Sequence, residues 1–518
     1  MPRPSSPILN APAAARLLVA MALCGLALAG SPSPARGDVP AGERVAVSGT
    51  DALADRLDPQ VAAHILKRRA AGARPPSTAR VAALDAEQRE RKSFWAWDFR
   101  LSSDYALQAE LHHASDQVWI YVEDGADVAD LAIARLARAF EDQVQPRLRA
   151  EYGREPYPGV DDREALTVLL LDVRDDVYHR LPPFRYISGY FDPINQLTQA
   201  ELGALSPRRS NEREMIFLDV DPTEAESDVL VQSAAHEYAH VIAWNYDPDE
   251  ERWLDEVIGQ LAIHVAGLPH PTGQLREYLA APERSLLDWS GDTADYGQAY
   301  AFGLYLYEQL GGQGSGAAAR LVQDPRNGLA SLSALLPATT SIGALLRDFG
   351  LAVQLDLPAE VDPRFGFRAL AIGGLGPDAL DDPVVHIRTP DALPAGDELV
   401  VLPPFSLRFE RYAVDGARLD VTLNADGPAC FGTSWSRVDR AAGDPPLVRC
   451  AAGGRPESMR STAPPPHGSL LTVIANASDR PLAITLRATI LVKVQGVERD
   501  RLFLPFGLTG SGRARASR

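Results

Sequence analysis

The 518-residue sequence predicts an α+β domain followed by a C-terminal β-sandwich. Strand and helix patterns alternate from Phe94 to about residue 356. After Leu375 the helical pattern ends, and short alternating strands separated by Pro, Gly and Asp continue. The length also exceeds what one hydrophobic core normally organises, so we expect several compact units.

The first thirty residues have the layout of a secretory signal peptide. A basic start precedes the apolar run at 17–30, which ends in small residues and is followed by Pro and Ser. The run is shorter than the roughly 20 residues that span a bilayer. We therefore predict a cleaved signal at 1–29, export to the periplasm or medium of a bacterium, and no stable membrane span. Cys24 leaves a lipid anchor open as an alternative.

The net charge limits the possible partners, and the cysteines indicate a disulfide. The formal charge of -18 repels phosphate backbones, so nucleic acid is not expected as a partner. Beyond the signal, Cys430 and Cys450 form an even pair in an oxidising compartment. We predict a disulfide between them, with two separate buried thiols as the alternative.

Residues 30–92 are rich in Ala, Arg and Pro and contain one predicted helix, LDPQVAAHILKRRAA. They indicate either a loosely structured leader or a short propeptide. In the domain predicted at 93–356, AELHHASDQVWIYVEDGA indicates a strand, DLAIARLARAFEDQVQPRL a helix and ALTVLLLDV a buried strand. An aromatic loop at 186–193 and the strand EMIFLDV at 214–220 come next.

Three helices are predicted in the rest of this domain, at about 229–245, 253–266 and 295–312, the last closed by a Gly pair. The stretch at 357–383, rich in Pro, Gly and Asp, is the predicted linker. Residues 384–500 are assigned to the β-sandwich. We expect the tail at 501–518 to be disordered.

The motif that carries chemistry is HEYAH in the first of these helices. His236 and His240 are four residues apart, so both imidazoles project from one helix face and can bind one zinc ion. Glu237 lies beside them, where it can take a proton from a metal-bound water as general base. G-x-S-x-G and phosphate-loop motifs are absent from the sequence.

The third ligand has several candidates. The metzincin pattern needs Gly and His where this chain has Ala243 and Tyr246, which excludes that class. Nearby carboxylates are Asp247, Asp249, Glu250, Glu251, Asp255 and Glu256. The first four belong to a polar loop. Glu256 instead lies in an apolar helical frame, where a buried carboxylate needs a partner such as a metal.

HEYAH followed after fifteen residues by Glu256 in WLDEVIGQLA resembles the gluzincin pattern. More closely, GYFDP, SNEREMIFLDV, HEYAH, WLDE and YGQAYAFGLYLYEQLGG, in this order, are similar to the hyicolysin family of secreted bacterial zinc endopeptidases. The likeness covers roughly residues 95–355. It implies a gluzincin-like domain with His236, His240 and Glu256 as zinc ligands and Glu237 as base.

Two positions depart from that pattern. Asp255 stands where Asn is usual and is a candidate partner for a ligand His. Gln260 occupies the position where some relatives have an Asp that orients the first His, and its carbonyl oxygen can accept the same hydrogen bond.

The mechanism also needs a donor to the developing oxyanion. Tyr296 resembles the Tyr of the Y-x-x-G helix in related gluzincin aminopeptidases, although Ala299 replaces the Gly. Ordinary aromatic packing is the alternative for Tyr296. Tyr300, His264 and His270 are the other candidate donors.

Together these features predict a secreted zinc-dependent endopeptidase that acts on protein or peptide substrates. The strand at 214–220 is the candidate edge for pairing with an extended substrate. The alternative is a non-catalytic exported zinc-containing protein whose β-sandwich binds a carbohydrate or protein surface. Peptide specificity and oligomeric state are not predicted.

Overall fold

The structure is a computed structural model. It describes residues 44–54, 59–70, 90–175, 184–203, 205–221, 223, 227–375, 386–388, 398–413, 418–435, 446–451, 457–460, 469–494 and 497–499. The predicted signal at 1–29 and tail at 501–518 lie outside these ranges. The chain divides after Arg44, and Val45–Arg518 forms one compact unit. Helices and strands are mixed along the chain, which confirms the α+β class.

Seven strands of the described N-terminal part form one mixed sheet. They are β1 (Arg44–Ser48), β2 (Arg91–Asp98), β3 (Ser103–Ala114), β4 (Val118–Glu123), β5 (Leu166–Leu171), β6 (Phe184–Phe191) and β7 (Met215–Asp219). Their order is β1-β6-β7-β5-β4-β3-β2. β4, β5 and β7 run parallel, whereas β6 pairs antiparallel with β7.

The strand predicted at 214–220 lies inside this sheet, not at its edge. β7 is hydrogen-bonded to β5 on one side and to β6 on the other, and all five of its residues are buried. Its side chains alternate between the hydrophobic clusters on the two faces. The prediction that it pairs with substrate is wrong, because both of its edges already carry backbone partners.

The segment at 186–193 was predicted as an aromatic loop, but most of it belongs to strand β6. Tyr190 stacks on Phe217 of β7 with ring centroids 4.3 Å apart, and its hydroxyl accepts a hydrogen bond from the Trp97 backbone N–H at 3.1 Å. The aromatic residues therefore pack the sheet instead of forming a loop.

The described helices surround this sheet and continue beyond it. They are α1 (Thr50–Ala54), α2 (Pro59–Ala70), α3 (Asp130–Ala139), α4 (Gln145–Glu151), α5 (Gln199–Gly203), α6 (Asp228–Tyr246), α7 (Arg252–Val265), α8 (Thr272–Ala280), α9 (Thr293–Gln309), α10 (Ala317–Val322), α11 (Gly328–Leu335) and α12 (Ile342–Leu355). The three helices predicted near the motif are α6, α7 and α9. Among the described residues, no helix combines the length and apolar character needed to cross a bilayer.

α6 is buried on every side along Ala234–Ala243. One side packs on β6 and β7, and another packs on α7. A helix that is buried on every side belongs to a core, which is the setting that a rigid site requires. α9 ends as predicted at a Gly pair, where Gly311 and Gly312 have positive φ and the Gly312 N–H donates to the Tyr307 carbonyl at 2.9 Å.

The described C-terminal strands form two sheets. They are β8 (His386–Arg388), β9 (Glu398–Leu402), β10 (Ser406–Ala413), β11 (Arg418–Ala425), β12 (Ala429–Trp435), β13 (Leu447–Ala451), β14 (Glu457–Arg460), β15 (Ser469–Asn476), β16 (Leu482–Val494) and β17 (Val497–Arg499). One sheet has the order β13-β12-β15-β10-β8. The other has the order β14-β11-β16-β17, with β9 beside β16.

A hydrophobic cluster lies between these two sheets, with Phe431 and Ile474 from the first and Val421 and Ile484 from the second. The opposite face of the first sheet packs against α12. Cys430 and Cys450 face each other across β12 and β13 and form the predicted disulfide.

Candidate metal centre and active site

Three buried side chains from α6 and α7 converge. His236 Nε2 lies 3.0 Å from His240 Nε2 and 3.3 Å from Glu256 Oε2. His240 Nε2 lies 4.0 Å from Glu256 Oε1. Tetrahedral zinc with bonds of about 2.0–2.1 Å holds its ligand atoms about 3.3 Å apart, so the three groups fit this ion. Glu256 Oε2 is buried without a hydrogen-bond partner among the described residues, as a metal-ligating oxygen would be.

The close approach of α7 to α6 makes this convergence possible. Gly259 lies against the imidazole of His236, and a Cβ at this glycine would fall 2.7 Å from His236 Cε1. The absence of a side chain at Gly259 therefore lets α7 bring Glu256 to the two histidines. His236 and His240 share one face of α6, as their spacing predicts.

The charges of the three groups depend on one another. Burial lowers the pKa of His236 to about 4, and the neighbouring His240 acts in the same direction. Burial also opposes a charge on His240, but the carboxylates of Asp255, Glu256 and Glu237 together outweigh it and raise this pKa to about 10. Burial raises the pKa of Glu256 to about 7, while His240 opposes this rise. A divalent cation can replace the protons that balance charge in such a cluster.

The two positions that depart from the gluzincin pattern have different surroundings. Asp255 Oδ2 lies 3.1 Å from His240 Nδ1, which is the kind of contact suggested for it from the sequence. The Gln260 amide nitrogen donates to Gln274 Oε1 at 2.8 Å and to the Tyr296 carbonyl at 3.1 Å. Gln260 thus links α7 to α8 and α9, and the suggested bond to His236 is not among its contacts.

Glu237 is 1% exposed and has a hydroxyl partner from outside α6. Thr50 Oγ1 donates a hydrogen bond to Glu237 Oε2 at 2.6 Å. Burial raises the pKa of Glu237, while His236 and His240, then the hydroxyls of Thr50 and Ser48, act against this rise. A carboxylate with a raised pKa beside two imidazoles can accept a proton and pass it on.

Tyr296 is buried in α9 with its ring centroid 6.2 Å from that of His236. Its hydroxyl donates to the Ser48 carbonyl and accepts from the Ser48 N–H, each at 3.1 Å. Burial raises the pKa of Tyr296 well above its ordinary value, so the hydroxyl keeps its proton as a donor. The Tyr296 ring thus lies beside His236, and the oxyanion role suggested for it stays a prediction.

The other candidate donors to the oxyanion, which are Tyr300, His264 and His270, lie in a separate group. The Tyr300 hydroxyl and His270 Nδ1 are 2.5 Å apart, and His270 Nε2 lies 2.8 Å from the Ala369 carbonyl. The His264 ring stacks beside that of His270 with centroids 6.2 Å apart. These contacts join α7, α9 and the segment after α12.

The polar loop between α6 and α7 also has other partners. Glu250 Oε1 accepts hydrogen bonds from the backbone N–H groups of Gly328 at 2.7 Å and Glu251 at 2.6 Å. Glu251 Oε2 accepts from Trp253 Nε1 at 2.8 Å. The loop carboxylates of Glu250 and Glu251 thus support the start of α11 and α7 and are not among the contacts of the two histidines.

Ser48 and Thr50 are the site residues that the sequence reasoning missed. Both lie in the segment predicted as a loose leader or propeptide, and both are buried. The only local signal is the short alternation RVAVS before Gly49, which forms β1. Five alternating residues are too few to predict a strand unless its distant partner is known.

No family model matches this chain, and no curated protein does. One solved structure, the solution NMR structure of a de novo designed double-stranded beta-helix, aligns at 21% identity with a TM-score of 0.13. The alignment covers 18% of this chain and 96% of that one, and overlap at this level carries no conclusion about fold or activity.

Proposed function

We propose that this chain is an exported zinc-dependent endopeptidase of the gluzincin type, similar to the hyicolysin family that its motifs resemble. The observation that carries the proposal is the convergence of His236, His240 and Glu256 beside the buried base Glu237. Three protein ligands leave a coordination position for water or substrate, which is typical of catalytic zinc.

Zinc at such a site lowers the pKa of a bound water and polarises a carbonyl oxygen. In this proposal the three ligands hold the ion, and Asp255 orients His240 through Nδ1. Glu237 accepts the proton of the attacking water and delivers it to the leaving amine. Tyr296 donates its hydroxyl proton to the oxygen on which negative charge develops.

The rival is a non-catalytic exported zinc protein that binds its target through the β-sandwich. A structural zinc site is normally closed by four protein ligands. The described residues supply three, and a general base lies next to them, so the catalytic proposal fits this set better.

The test separates zinc binding from hydrolysis. The Thr50 hydroxyl donates a hydrogen bond to Glu237 and could keep this base from its water. Casein hydrolysis is therefore measured on the unaltered chain and on Thr50→Val, each with and without Glu237→Gln. Glu237→Gln should keep one zinc per chain and reduce hydrolysis by about 10²–10⁴-fold. His240→Ala should lose the zinc. If zinc-loaded chains with Glu237 intact, including Thr50→Val and Gly49→Leu, hydrolyse neither casein nor gelatin, the binding-protein alternative is correct.

A further inference from the structure

The N-terminal segment at 46–51 covers the edge of the sheet that lies over the catalytic helix. Gly49 N–H donates to the Gly189 carbonyl at 2.9 Å, and Phe191 N–H donates to Thr50 Oγ1 at 2.7 Å. The sheet ends at this segment, so β6 would be the edge strand without it. Gly189 of β6 also lies close to Glu237, since a Cβ there would fall 3.3 Å from Glu237 Cγ.

The same segment engages the two groups that the proposed function reserves for a substrate. Thr50 Oγ1 donates to the base Glu237 at 2.6 Å. The Tyr296 hydroxyl donates to the Ser48 carbonyl at 3.1 Å, as it would to the oxygen of a scissile peptide. An edge strand with only a structural role has no need to bind both the base and the oxyanion donor.

The segment fits its cleft closely and is anchored at both ends. A Cβ at Gly49 would lie 2.7 Å from Phe99 Cζ and 2.8 Å from Ile187 Cγ2, so the cleft admits no larger residue there without rearrangement. The Ala46 carbonyl accepts from Gln274 Nε2 at 3.2 Å, and Asp51 Oδ2 accepts from Trp289 Nε1 at 3.0 Å. All four central residues, 47–50, are buried.

We propose that residues 46–51 are an inhibitory segment that occupies the substrate cleft, extended as far as Ser48 and turning into α1 at Thr50, and that it must leave before a substrate can enter. The inference rests on the proposed function, since it takes Glu237 and Tyr296 as the groups that a substrate meets. It also names the substrate class: an extended peptide that adds to the edge of β6 and carries a small residue opposite Gly189. Because the segment belongs to the same chain, it competes at an effective concentration of about millimolar.

The experiment displaces the segment in the full-length zinc-loaded chain. Gly49→Leu introduces a side chain that the cleft cannot hold, and Thr50→Val removes the hydroxyl bound to Glu237 with little change in shape. Gly374→Leu is the matched control, because this exposed glycine has no atom within 4 Å of an added Cβ. A fluorescein-labelled RVAVSGTDAL peptide, residues 44–53 of this chain, is the probe.

Peptide binding is measured by fluorescence anisotropy, and casein hydrolysis is measured in parallel. Gly49→Leu should bind the peptide and hydrolyse casein about 10- to 100-fold better than the unaltered chain, and Thr50→Val should show a smaller gain. Gly374→Leu should match the unaltered chain. The same peptide with Leu in place of its Gly should not bind.

The two proposals fail in different ways. If the peptide binds the displaced variants but no chain hydrolyses casein, the segment occupies the cleft as inferred and the peptidase proposal is wrong. If the unaltered chain hydrolyses casein as fast as both variants and the peptide binds neither of them, the segment is an ordinary strand and the inference is overturned. If Gly49→Leu loses its circular dichroism spectrum, Thr50→Val decides by the same two measurements.

Discussion

At the scale of single residues, the contact between Asp255 and His240 affects how well the site can bind a metal. Asp255 is the largest favourable influence on a protonated His240, although burial opposes that charge. A carboxylate at Nδ1 keeps the ring proton on that side and leaves the Nε2 lone pair facing His236 and Glu256. The negative charge of Asp255 thus offsets the unfavourable effect of burial on the ligand His240.

Asp255→Asn should weaken zinc binding by about 10- to 100-fold, because an amide beside Nδ1 carries no charge. Zinc dissociation constants are measured by competition with a chelator at pH 7. Asp249→Asn, which changes the same charge at an exposed loop position, is the control and should leave zinc binding unchanged. Equal losses in both variants would show that net charge, and not the contact with His240, controls the affinity.

Glu214 is a buried acid that is not among the metal ligands. Burial, together with the Asp161 carboxylate, raises its pKa from 4.5 to about 8. The folded chain therefore holds a proton that the unfolded chain has already released between pH 4.5 and pH 8. The free energy of unfolding falls as pH rises through this window, and the loss is complete above pH 8.

Glu214→Gln should remove that loss, because its amide oxygen can still accept the Val160 N–H without a proton being bound. The melting temperature of the variant relative to the unaltered chain should rise between pH 5 and pH 8.5. Differential scanning calorimetry at both pH values measures this, with Glu277→Gln on the exposed side of α8 as control. A difference that is the same at both pH values would contradict the argument.

At the scale of elements, the contact between α6 and α7 determines the site geometry. Gly259 leaves room for the His236 ring, since an added Cβ would lie 2.7–3.0 Å from three of its atoms. Ala is ordinarily more favourable than Gly in a helix, by about 1 kcal/mol. Packing at the histidine is therefore the reason that we expect a glycine to be needed here.

Gly259→Ala should weaken zinc binding by at least about tenfold, which corresponds to about 1.4 kcal/mol, because the added methyl group would displace the His236 ring. The metal-free chain should also lose on the order of 1 kcal/mol of stability, because overpacking costs about 1–3 kcal/mol against a helical gain of about 1 kcal/mol. Gly273→Ala in α8 receives the same helical gain in open space and should keep its zinc affinity. Chelator competition and thermal melts on both variants check this. Unchanged zinc affinity in Gly259→Ala would show that α7 can shift without cost to the site.

Local sequence patterns predicted the helices whose own residues show a clear apolar period. α6, α7 and α9 begin and end within three residues of their predicted bounds, because each has an apolar period and flanking polar or Gly residues. Long-range pairing was not predictable in this way. β7 lies between two distant strands, and the contact between Val47 and Ser188 spans 141 residues. The motif therefore predicted His236, Glu237 and His240, but not the hydroxyl that covers Glu237.

At the scale of the whole molecule, one hydrophobic cluster joins the helices of the site to the first C-terminal sheet. It includes Leu254 of α7 and Leu346 of α12, as well as Leu407 and Val473 of β10 and β15. Side chains from the predicted linker at 357–383 belong to it too. The division at 93–356 and 384–500 stays a prediction, and a shared core implies that the two parts unfold together.

A substitution where α12 meets the sheet tests this coupling. A Cβ at Gly350 would lie 2.5 Å from Cγ1 of Val473, a stiff β-branched side chain, and 3.0 Å from Leu407 Cδ2. Overpacking costs about 1–3 kcal/mol, which exceeds the helical gain of about 1 kcal/mol from Ala. Gly350→Ala should therefore lower the free energy of unfolding by on the order of 1 kcal/mol.

The loss of stability in Gly350→Ala should appear at both ends of the hydrophobic cluster, at the site and at β15. Urea midpoints are measured at the site by zinc release to a chromophoric chelator, and at β15 by hydrogen exchange of the peptide at 469–476. Both midpoints should fall together in Gly350→Ala, whereas Gly374→Ala, in open space, should move neither. A lower midpoint at β15 with zinc release unchanged would mean that the sheets unfold as an independent domain. A joint shift would mean that the strands after residue 384 help to hold α7, and with it Glu256, in place.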